Sequence, residues 1–413
     1  MEWEGGDPGR RPGSDMAQQE KKRRRLGLLP RLVLAIALGL LAGGFARWAQ
    51  LPLLIRAGAT FNSIFGNFLT FCIPLIIIGF VVPGIAELGR GAGRLLGLTA
   101  LLAYLSTVLA GLAAVAVGKA VFPRFLRPGS LSLDSAAGQE SMLPGLFEVE
   151  LPPVMGVMTA LLLAFVLGLG IAAVRSEPLR RAFCDFQAII EKLVARIILP
   201  LLPVHVYGIF ANMTYTGAVG EILRVFARVF AVIVALHLCV MALQYVAAGA
   251  VAGKNPVSLL RRMVPAYVTA LGTQSSAAAI PVTVRCTKQN GVRDTIAEFV
   301  CPLCATIHLS GSTISLTSCA LAILMLGGRQ VSVGEMVPFV LMLGVTMVAA
   351  PGVPGGAVMA ALGVLESMLG FTDAMLTLMI ALYIAQDSFG TACNVTGDGA
   401  IAVVMDALAG RTT

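Results

Sequence analysis

The sequence has little charge. Only 13% of its 413 residues are Asp, Glu, Lys or Arg, whereas about a quarter of the residues in soluble domains are charged. Its mean hydropathy of +0.87 excludes an ordinary soluble domain. The sequence also has only three histidines, and it lacks the serine-nucleophile motifs, phosphate-binding loops and paired catalytic carboxylates that indicate enzymes. These absences favour a polytopic membrane protein that is not an enzyme and needs no cofactor.

Apolar sequence, in contrast, is abundant. A helix crosses the ~30 Å hydrocarbon core of a bilayer with about 20 residues, and the early apolar runs have about that length. They lie at 28–46, 61–83, 95–122, 150–174, 188–213 and 222–252. The 45 glycines and 21 prolines exceed what continuous helices need, and many of them follow residue 265. We therefore expect broken membrane helices in the C-terminal third.

Basic residues account for the net charge of +8 and predict the orientation. They concentrate in alternate loops, which is typical of cytoplasmic loops and not of a nucleic-acid-binding surface. The intervening segment 123–150 carries more acidic than basic residues, so we place it outside. We predict a multi-pass protein of the cell membrane (inner or plasma membrane) with both termini cytoplasmic and no nucleic-acid partner. We predict that residues 1–27 form a disordered, basic, cytoplasmic N-terminus and leave open whether Met1 or Met16 is the start.

One cysteine cluster has the spacing of a metal site. Cys301, Cys304 and His308 form a C-x2-C-x3-H pattern, which is compatible with zinc, but no fourth ligand is evident nearby. We therefore interpret both cysteines as small residues of a packed helix. We interpret His205 as a structural polar contact and His237 as an interface residue.

Two segments rich in glycine and proline predict re-entrant hairpins. Residues 264–283 have a polar middle and basic flanks on both sides, so they enter and leave on the cytoplasmic side. Residues 348–363 hold too many prolines and glycines for one helix and predict a second hairpin that enters from outside. Between them, 295–325 spans once and carries a polar island. This order is typical of inverted repeats with broken helices, which place a binding site at the membrane midplane.

The stretch DSFGTACNVTGD brings two carboxylates into apolar sequence near the end of the chain. Asp387, Thr391, Asn394 and Asp398 are spaced by 4, 3 and 4 residues, so they lie on one face of a helix. Carboxylates within a membrane are costly unless they face a cavity or are paired. We interpret this polar stripe as one wall of a binding pocket. The alternatives are a polar seam between helices and an aspartate paired with an arginine near the C-terminus.

Four motifs, in this order and spacing, resemble those of the dicarboxylate/amino acid:cation symporter family, which includes glutamate and aspartate transporters. They are TQSSAAAIPVT, PLCATIHLSGS, PGVPGGAV and DSFGTACNVTGD. The resemblance begins at about residue 28, and the last motif is its most specific part. It implies an all-α fold with about eight transmembrane helices and two re-entrant hairpins, a homotrimer, and an elevator mechanism.

The resemblance also implies the domain organisation. Residues 28–253 hold six helices that mainly form a scaffold and trimerisation domain, with the third and sixth helices in the transport domain. The remaining chain, 254–413, is the transport core. Its parts are hairpin 1 (256–290), helix 7 (294–325), hairpin 2 (333–369) and helix 8 (371–409).

Substrate residues follow from the same resemblance. Asp387 matches the family aspartate that pairs with the α-amino group of the substrate, and Thr391 and Asn394 match residues around its carboxylate and backbone. The other predicted substrate contacts are Gln274, Ser275, Ser276, Ser312, Gly355 and Gly390. The predicted gating residues of the outer hairpin are Pro351, Gly352, Pro354 and Gly356.

The resemblance implies two sodium sites. Asp398 matches a cation-ligating carboxylate, assisted by Asn394 and by the carbonyls of Cys304 and His308. A second site consists of backbone carbonyls in the family and would use Thr306, Leu309 and the stretch 349–352. The family's N-M-D-G-T run is H-L-S-G-S here, and this departure disfavours a third site.

Other departures bear on the substrate. Gly390 stands where members that carry acidic substrates have an arginine, and Gln274 stands where some members have a hairpin arginine. Without that bidentate clamp there is no reason to prefer a dianion. We predict cation-coupled symport, with sodium as the cation and a neutral rather than an acidic amino acid as the substrate. The alternatives are a proton- or sodium-coupled symporter of dicarboxylates or acidic amino acids, and an uncoupled channel or membrane sensor.

His308 adds an alternative for the coupled ion. An imidazole titrates near neutral pH in solution, so a proton on His308 would replace the missing sodium charge. The simpler interpretation is a neutral histidine hydrogen-bonded to the serine-rich residues around it. The sequence leaves the substrate, the choice of sodium or proton, and the stoichiometry open.

Overall fold

A computed structural model describes residues 28–88, 94–129, 143–217, 219–348, 350 and 355–410. Nearly all of these residues are helical, and they include no strand, which confirms the predicted all-α class. Several predictions concern residues outside these ranges: the N-terminus over 1–27, the arginine near the C-terminus, and three of the gating residues. Those three are Pro351, Gly352 and Pro354.

Seven helices form the N-terminal part of the described chain. They are α1 (Leu28–Trp48), α2 (Pro52–Leu88), α3 (Arg94–Val121), α4 (Val157–Val174), α5 (Glu177–Leu193), α6 (Leu199–Thr216) and α7 (Val219–Ala252). A π-helical turn, Val194–Ile198, joins α5 to α6. Helix α1 packs closely on α6. A Cβ added at Gly43 would lie only 2.2 Å from the Ala211 carbonyl oxygen, so only glycine fits at this contact. Small residues allow such close approach between membrane helices.

Eight helices follow in the C-terminal part. They are α8 (Pro256–Arg262), α9 (Val264–Thr273), α10 (Ser276–Gln289), α11 (Asp294–Ile307), α12 (Ser310–Leu326), α13 (Val333–Val348), α14 (Gly356–Leu369) and α15 (Asp373–Gly410). Helix α12 is almost completely buried and packs against α3, α7 and α15. The part of the PLCATIHLSGS motif that lies in α12 and the motif of α15 that packs against it are therefore buried, whereas Thr273 and Ala277 of the TQSSAAAIPVT motif are exposed.

The lengths and compositions of the helices suit a membrane. Within the described residues, six helical segments are long and apolar enough to cross a bilayer, and four shorter apolar helices accompany them. Large apolar side chains are exposed on the outer faces, including Leu41 of α1 and Val166 of α4. Hydrocarbon is a favourable environment for such faces, because the helix backbone satisfies its own hydrogen bonds. The count of eight transmembrane helices and the orientation of the termini stay predictions.

Two local features shape the C-terminal part. Helices α9 and α10 pack against each other and are joined at Gln274, which is in the left-handed conformation (φ 54°), and Ser275, whose Oγ accepts a hydrogen bond from the Ala278 N–H. This Ser275 cap starts α10. The predicted helix 7 consists of α11 and α12, and the helix is interrupted at His308 and Leu309. An interruption leaves backbone carbonyls of one helix and N–H groups of the next without helical partners at one depth.

Candidate functional site

The polar stripe of α15 is buried against the interruption between α11 and α12. The side chains of Asp387, Thr391, Asn394 and Asp398 lie on one face of the continuous helix α15, and none of these residues is more than 5% exposed. Their partners come from α12, from the start of α14, and from residues at the interruption itself. The predicted stripe is therefore a buried polar surface, and its individual contacts separate into three groups.

Asn394 fixes the start of α12. Its Oδ1 accepts hydrogen bonds from the N–H groups of Gly311 (2.7 Å) and Ser312 (3.2 Å), and its Nδ2 donates to Ser312 Oγ (2.9 Å). The first N–H groups of a helix have no helical partner, so the Asn394 amide satisfies two of them. His237 of α7 holds the other side of the same peptide region, because its Nε2 donates to the Gly311 carbonyl oxygen (3.0 Å).

Asp387 meets the start of α14. Its Oδ2 accepts a hydrogen bond from the Gly355 N–H (2.7 Å), and its Oδ1 lies 3.5 Å from Thr391 Oγ1. Gly355 has a φ of +75°, a conformation that glycine adopts without strain. Gly356, which is the predicted gating residue that lies within the described ranges, begins α14 directly after Gly355. The structure thus brings together three predicted substrate residues, and a backbone N–H is one of the groups involved.

Asp398 pairs with His308. The distance from His308 Nδ1 to Asp398 Oδ1 is 2.9 Å, and both side chains are completely buried. A carboxylate can only accept, so Nδ1 carries a proton. The second oxygen of Asp398, Oδ2, has no hydrogen-bond partner among the described residues. Because an unsatisfied buried charge is costly, this oxygen calls for a further partner.

Two residues that the sequence did not indicate complete this group. His308 Nε2 lies 3.0 Å from Ser106 Oγ of α3, and Gln244 of α7 donates from Nε2 to Ser106 Oγ (3.0 Å) and to Ser310 Oγ (3.2 Å). Both residues lie in apolar helices that are remote in sequence from the motifs. The serine-rich surroundings predicted for His308 therefore include Ser106, and the carboxylate of Asp398 is an additional partner.

The remaining predicted cation residues lie at the interruption. The Cys304 carbonyl accepts a hydrogen bond from the His308 N–H (2.8 Å), Leu309 is buried, and Thr306 Oγ1 donates to the carbonyl of Leu303 in its own helix (2.8 Å). Cys301 Sγ donates to a threonine hydroxyl (3.4 Å). Within the described residues, no group of three His, Cys, Asp or Glu side chains is arranged to hold a metal ion.

Gly390 and Gly311 lie where α15 and α12 touch. A Cβ added to Gly311 would come within 2.3 Å of the Gly390 carbonyl oxygen, so Gly311 is required for this contact. A Cβ added to Gly390 would meet Gly311 and the Ser312 nitrogen at 3.4–3.5 Å, which is ordinary contact. Among the described residues, no lysine or arginine hydrogen-bonds to Asp387 or Asn394.

Comparison with known proteins decides the family. The sequence model of the sodium:dicarboxylate symporter family matches residues 28–408. The chain belongs to this family. The symporter is 26% identical over 396 residues to the serine/threonine transporter SstT of Acinetobacter baumannii (strain ATCC 17978). The alignment covers 92% of this chain and 97% of SstT. The predicted resemblance is confirmed.

Other relatives are eukaryotic. An excitatory amino acid transporter of Caenorhabditis elegans is 26% identical over 261 residues, covering 60% of the symporter and 50% of that protein. Excitatory amino acid transporter 1 of Homo sapiens is 28% identical over 240 residues, covering 57% and 43%. The family consists of symporters, which confirms the prediction that the chain is not an enzyme.

Proposed function

We propose that the symporter moves a neutral amino acid across the cell membrane together with sodium. The observation that carries this proposal is the buried carboxylate of Asp387. Its hydrogen bonds with the described residues come from uncharged donors, among them Gly355 and Thr391. A buried carboxylate needs a positive partner. The α-ammonium group of an amino acid supplies one, and a dicarboxylate does not.

Among the residues that the structure describes, no cationic side chain hydrogen-bonds to Asp387 or Asn394, which supports a neutral substrate. Recognition of a second substrate carboxylate calls for an arginine or lysine. Gly390 stands at the position where family members that carry acidic substrates have an arginine. A relative that aligns with nearly all of the symporter is a serine/threonine transporter, which agrees with this choice. The excitatory amino acid transporters align with a smaller share of the chain.

Sodium fits the second carboxylate of the stripe. Asp398 offers Oδ2 without a partner, and the carbonyls of Cys304 and His308 lie at the adjacent helix interruption. Sodium prefers oxygen ligands, as other hard cations do. Binding it would neutralise Asp398 and hold the interruption in one arrangement. The substrate site depends on the same region through Asn394 and Ser312, so sodium and amino acid would favour each other's binding.

We extend the proposal to the homotrimer, the two re-entrant hairpins and the elevator movement that the family resemblance implies. One contact would have to break during such a movement. His205 of α6 contacts Asn62 of α2 (3.1 Å) and, through Nε2, Thr377 Oγ1 of α15 (3.2 Å). This buried polar contact joins the proposed scaffold to the proposed transport domain. Its loss would lower the barrier to sliding or change which end state is favoured.

Reconstituted vesicles test the proposed function. With an inward sodium gradient, the symporter should concentrate a neutral amino acid such as serine, threonine or alanine, and excess aspartate should compete weakly. Thermal shift of the purified protein should show that sodium and the amino acid each increase the stabilisation by the other. Equilibration without accumulation would instead indicate a channel. Accumulation driven by a pH gradient alone would indicate proton coupling, and stabilisation by acidic compounds only would contradict the neutral substrate.

Gly390→Arg should shift the preference toward acidic amino acids. A Cβ at this position would meet its nearest atoms at ordinary contact distances of 3.4–3.5 Å. In the proposed site, a guanidinium carried by this side chain would pair with the second carboxylate of an acidic substrate. Hydrogen bonds to charged groups contribute about 1.5–3 kcal/mol, so the ratio of aspartate to serine inhibition constants should change by about 10- to 100-fold. Competition assays in vesicles measure this ratio. Gly390→Leu is the matched control, because it fills the same space without charge; an equal change in both variants would contradict the prediction.

A further inference from the structure

Tyr383 lies on the polar stripe, one helical turn before Asp387. The residue is completely buried, and its hydroxyl oxygen lies 3.0 Å from Ser312 Oγ. The Asp387 carboxyl group lies one helical turn further along the same face of α15, close enough to the Tyr383 hydroxyl for the two groups to interact. A ring that only filled space would need no hydroxyl at this depth, and a buried tyrosine usually places its hydroxyl against a specific partner. Tyr383 has two such partners.

The donors and acceptors in this group can be assigned from its two ends. At one end, the Asn394 amide is oriented by two backbone N–H groups on Oδ1, so its Nδ2 must donate to Ser312 Oγ. At the other end, Asp387 can only accept. In the structure the Tyr383 hydroxyl is the donor to Ser312 Oγ. Because a charged carboxylate is a stronger acceptor than a hydroxyl, the single proton of Tyr383 is expected to turn to Asp387 instead. The Ser312 proton then goes to the Tyr383 oxygen.

We propose that Tyr383 is a positioning residue of the substrate site. Its hydroxyl, supported by Ser312 and Asn394, holds the Asp387 carboxylate in the orientation that receives the α-ammonium group of the amino acid. This inference rests on the proposed function, in which Asp387 binds that group. It adds a residue to the site that no motif indicated, and it connects the carboxylate to the start of α12.

The arrangement has a consequence for specificity. The Gly355 N–H and the Tyr383 hydroxyl approach Asp387 as neutral donors. They orient the carboxylate without neutralising its charge, so that charge remains for the ligand. An arginine in place of either donor would satisfy Asp387 within the protein and would compete with the substrate's ammonium group. Tyr383 thereby favours ligands that carry a positively charged group, such as an ammonium group.

Tyr383→Phe tests the proposal, because it keeps the ring and removes the hydroxyl. We expect the KM for the neutral amino acid to rise about tenfold or more, while Vmax and the sodium concentration for half-maximal uptake change less than threefold. Tyr245→Phe is the matched control. Tyr245 is equally buried on α7 and donates its hydroxyl to the Thr396 carbonyl of α15 (2.8 Å), away from Asp387.

A purely structural role would lower the melting temperature of both variants and leave both KM values unchanged, which would overturn the proposal. Ser312→Ala provides a second measurement. If the hydroxyls act as one unit, the double variant Ser312→Ala with Tyr383→Phe should raise KM no more than the larger single effect, whereas additive effects would count against it. Should Tyr383→Phe fail to fold, an unchanged KM in Ser312→Ala would overturn the proposal. Wild-type protein without sodium-dependent uptake would instead refute the proposed function itself.

Discussion

Asp387→Asn is expected to abolish sodium-driven amino-acid uptake. The asparagine keeps the shape of the side chain and still accepts the Gly355 N–H hydrogen bond, so the start of α14 should remain in place. What disappears is the negative charge that faces the substrate's ammonium group in the proposed site. Removing one partner of a buried charge pair costs about 3–5 kcal/mol, which corresponds to a more than hundredfold loss of affinity. Radiolabelled uptake and ligand-induced thermal shift should both show it.

The control for this change is Asp406→Asn on the same helix. Asp406 pairs with Arg293 near the end of α15, and the Nε to Oδ1 distance is 2.6 Å. A partly exposed ion pair contributes little, about 0–1 kcal/mol, so uptake by this variant should stay within a few-fold of wild type. Equal losses in the two variants would show that any carboxylate on α15 is needed for folding. Normal uptake by Asp387→Asn would remove the basis for the proposed amino-acid site.

The polar stripe was predictable because helical spacing is a local property. Asp387 and Asp398 lie eleven residues apart, and the 3.6-residue period alone places them on one face. The polar island in the apolar run 295–325 was noted in the sequence, and broken helices were expected from the order of hairpins and spans, but the exact position of the interruption at His308 and Leu309 comes from the structure. Burial of these positions follows from the same pattern, since a polar face inside a membrane protein turns toward the protein interior.

Other parts of the site could not be predicted from local patterns. Ser106 and Gln244 each lie within long apolar helices. The contacts of Ser106 with Gln244 and with His308 depend on how α3 and α7 pack. One partner of Asp387 is the backbone N–H of Gly355. Every residue except proline has such a group, so the residue type does not indicate this contact. Tyr383 did carry a signal: it is four residues before Asp387 and extends the stripe by one turn. An aromatic ring in an apolar helix nevertheless looks like ordinary core.

The two carboxylates differ in their surroundings, and this difference explains why one should bind the solute and the other the ion. Asp387 accepts from Gly355 at the start of α14, where α14 follows the proposed gate. Asp398 faces His308 in a completely buried group that α3, α7 and α12 enclose. Asn394 lies between them on α15 and holds the start of α12. A change at either carboxylate can therefore reach the other through the position of α12.

Asp398→Asn is expected to eliminate sodium dependence. The variant removes the charge that a cation requires and leaves His308 Nδ1 with an amide oxygen as its acceptor, so the histidine keeps a hydrogen-bond partner. Without the carboxylate, sodium binding should weaken at least about hundredfold, since breaking a buried charge pair costs about 3–5 kcal/mol. Stabilisation by sodium in a thermal-shift titration should disappear, because a ligand stabilises the folded state only as far as it binds.

Asp294→Asn gives the comparison for that measurement. Asp294 is exposed at the start of α11 and lies 3.3 Å from Lys288 Nζ, so the same chemical change removes only a surface contact. Sodium should stabilise this variant as it does the wild type. If sodium still stabilised Asp398→Asn at wild-type concentrations, the cation would bind elsewhere, and the unpartnered Oδ2 of Asp398 would not be its ligand. Loss of the sodium response together with a much weaker response to amino acid would show instead that the buried group at Asp398 and the substrate site act through the same start of α12.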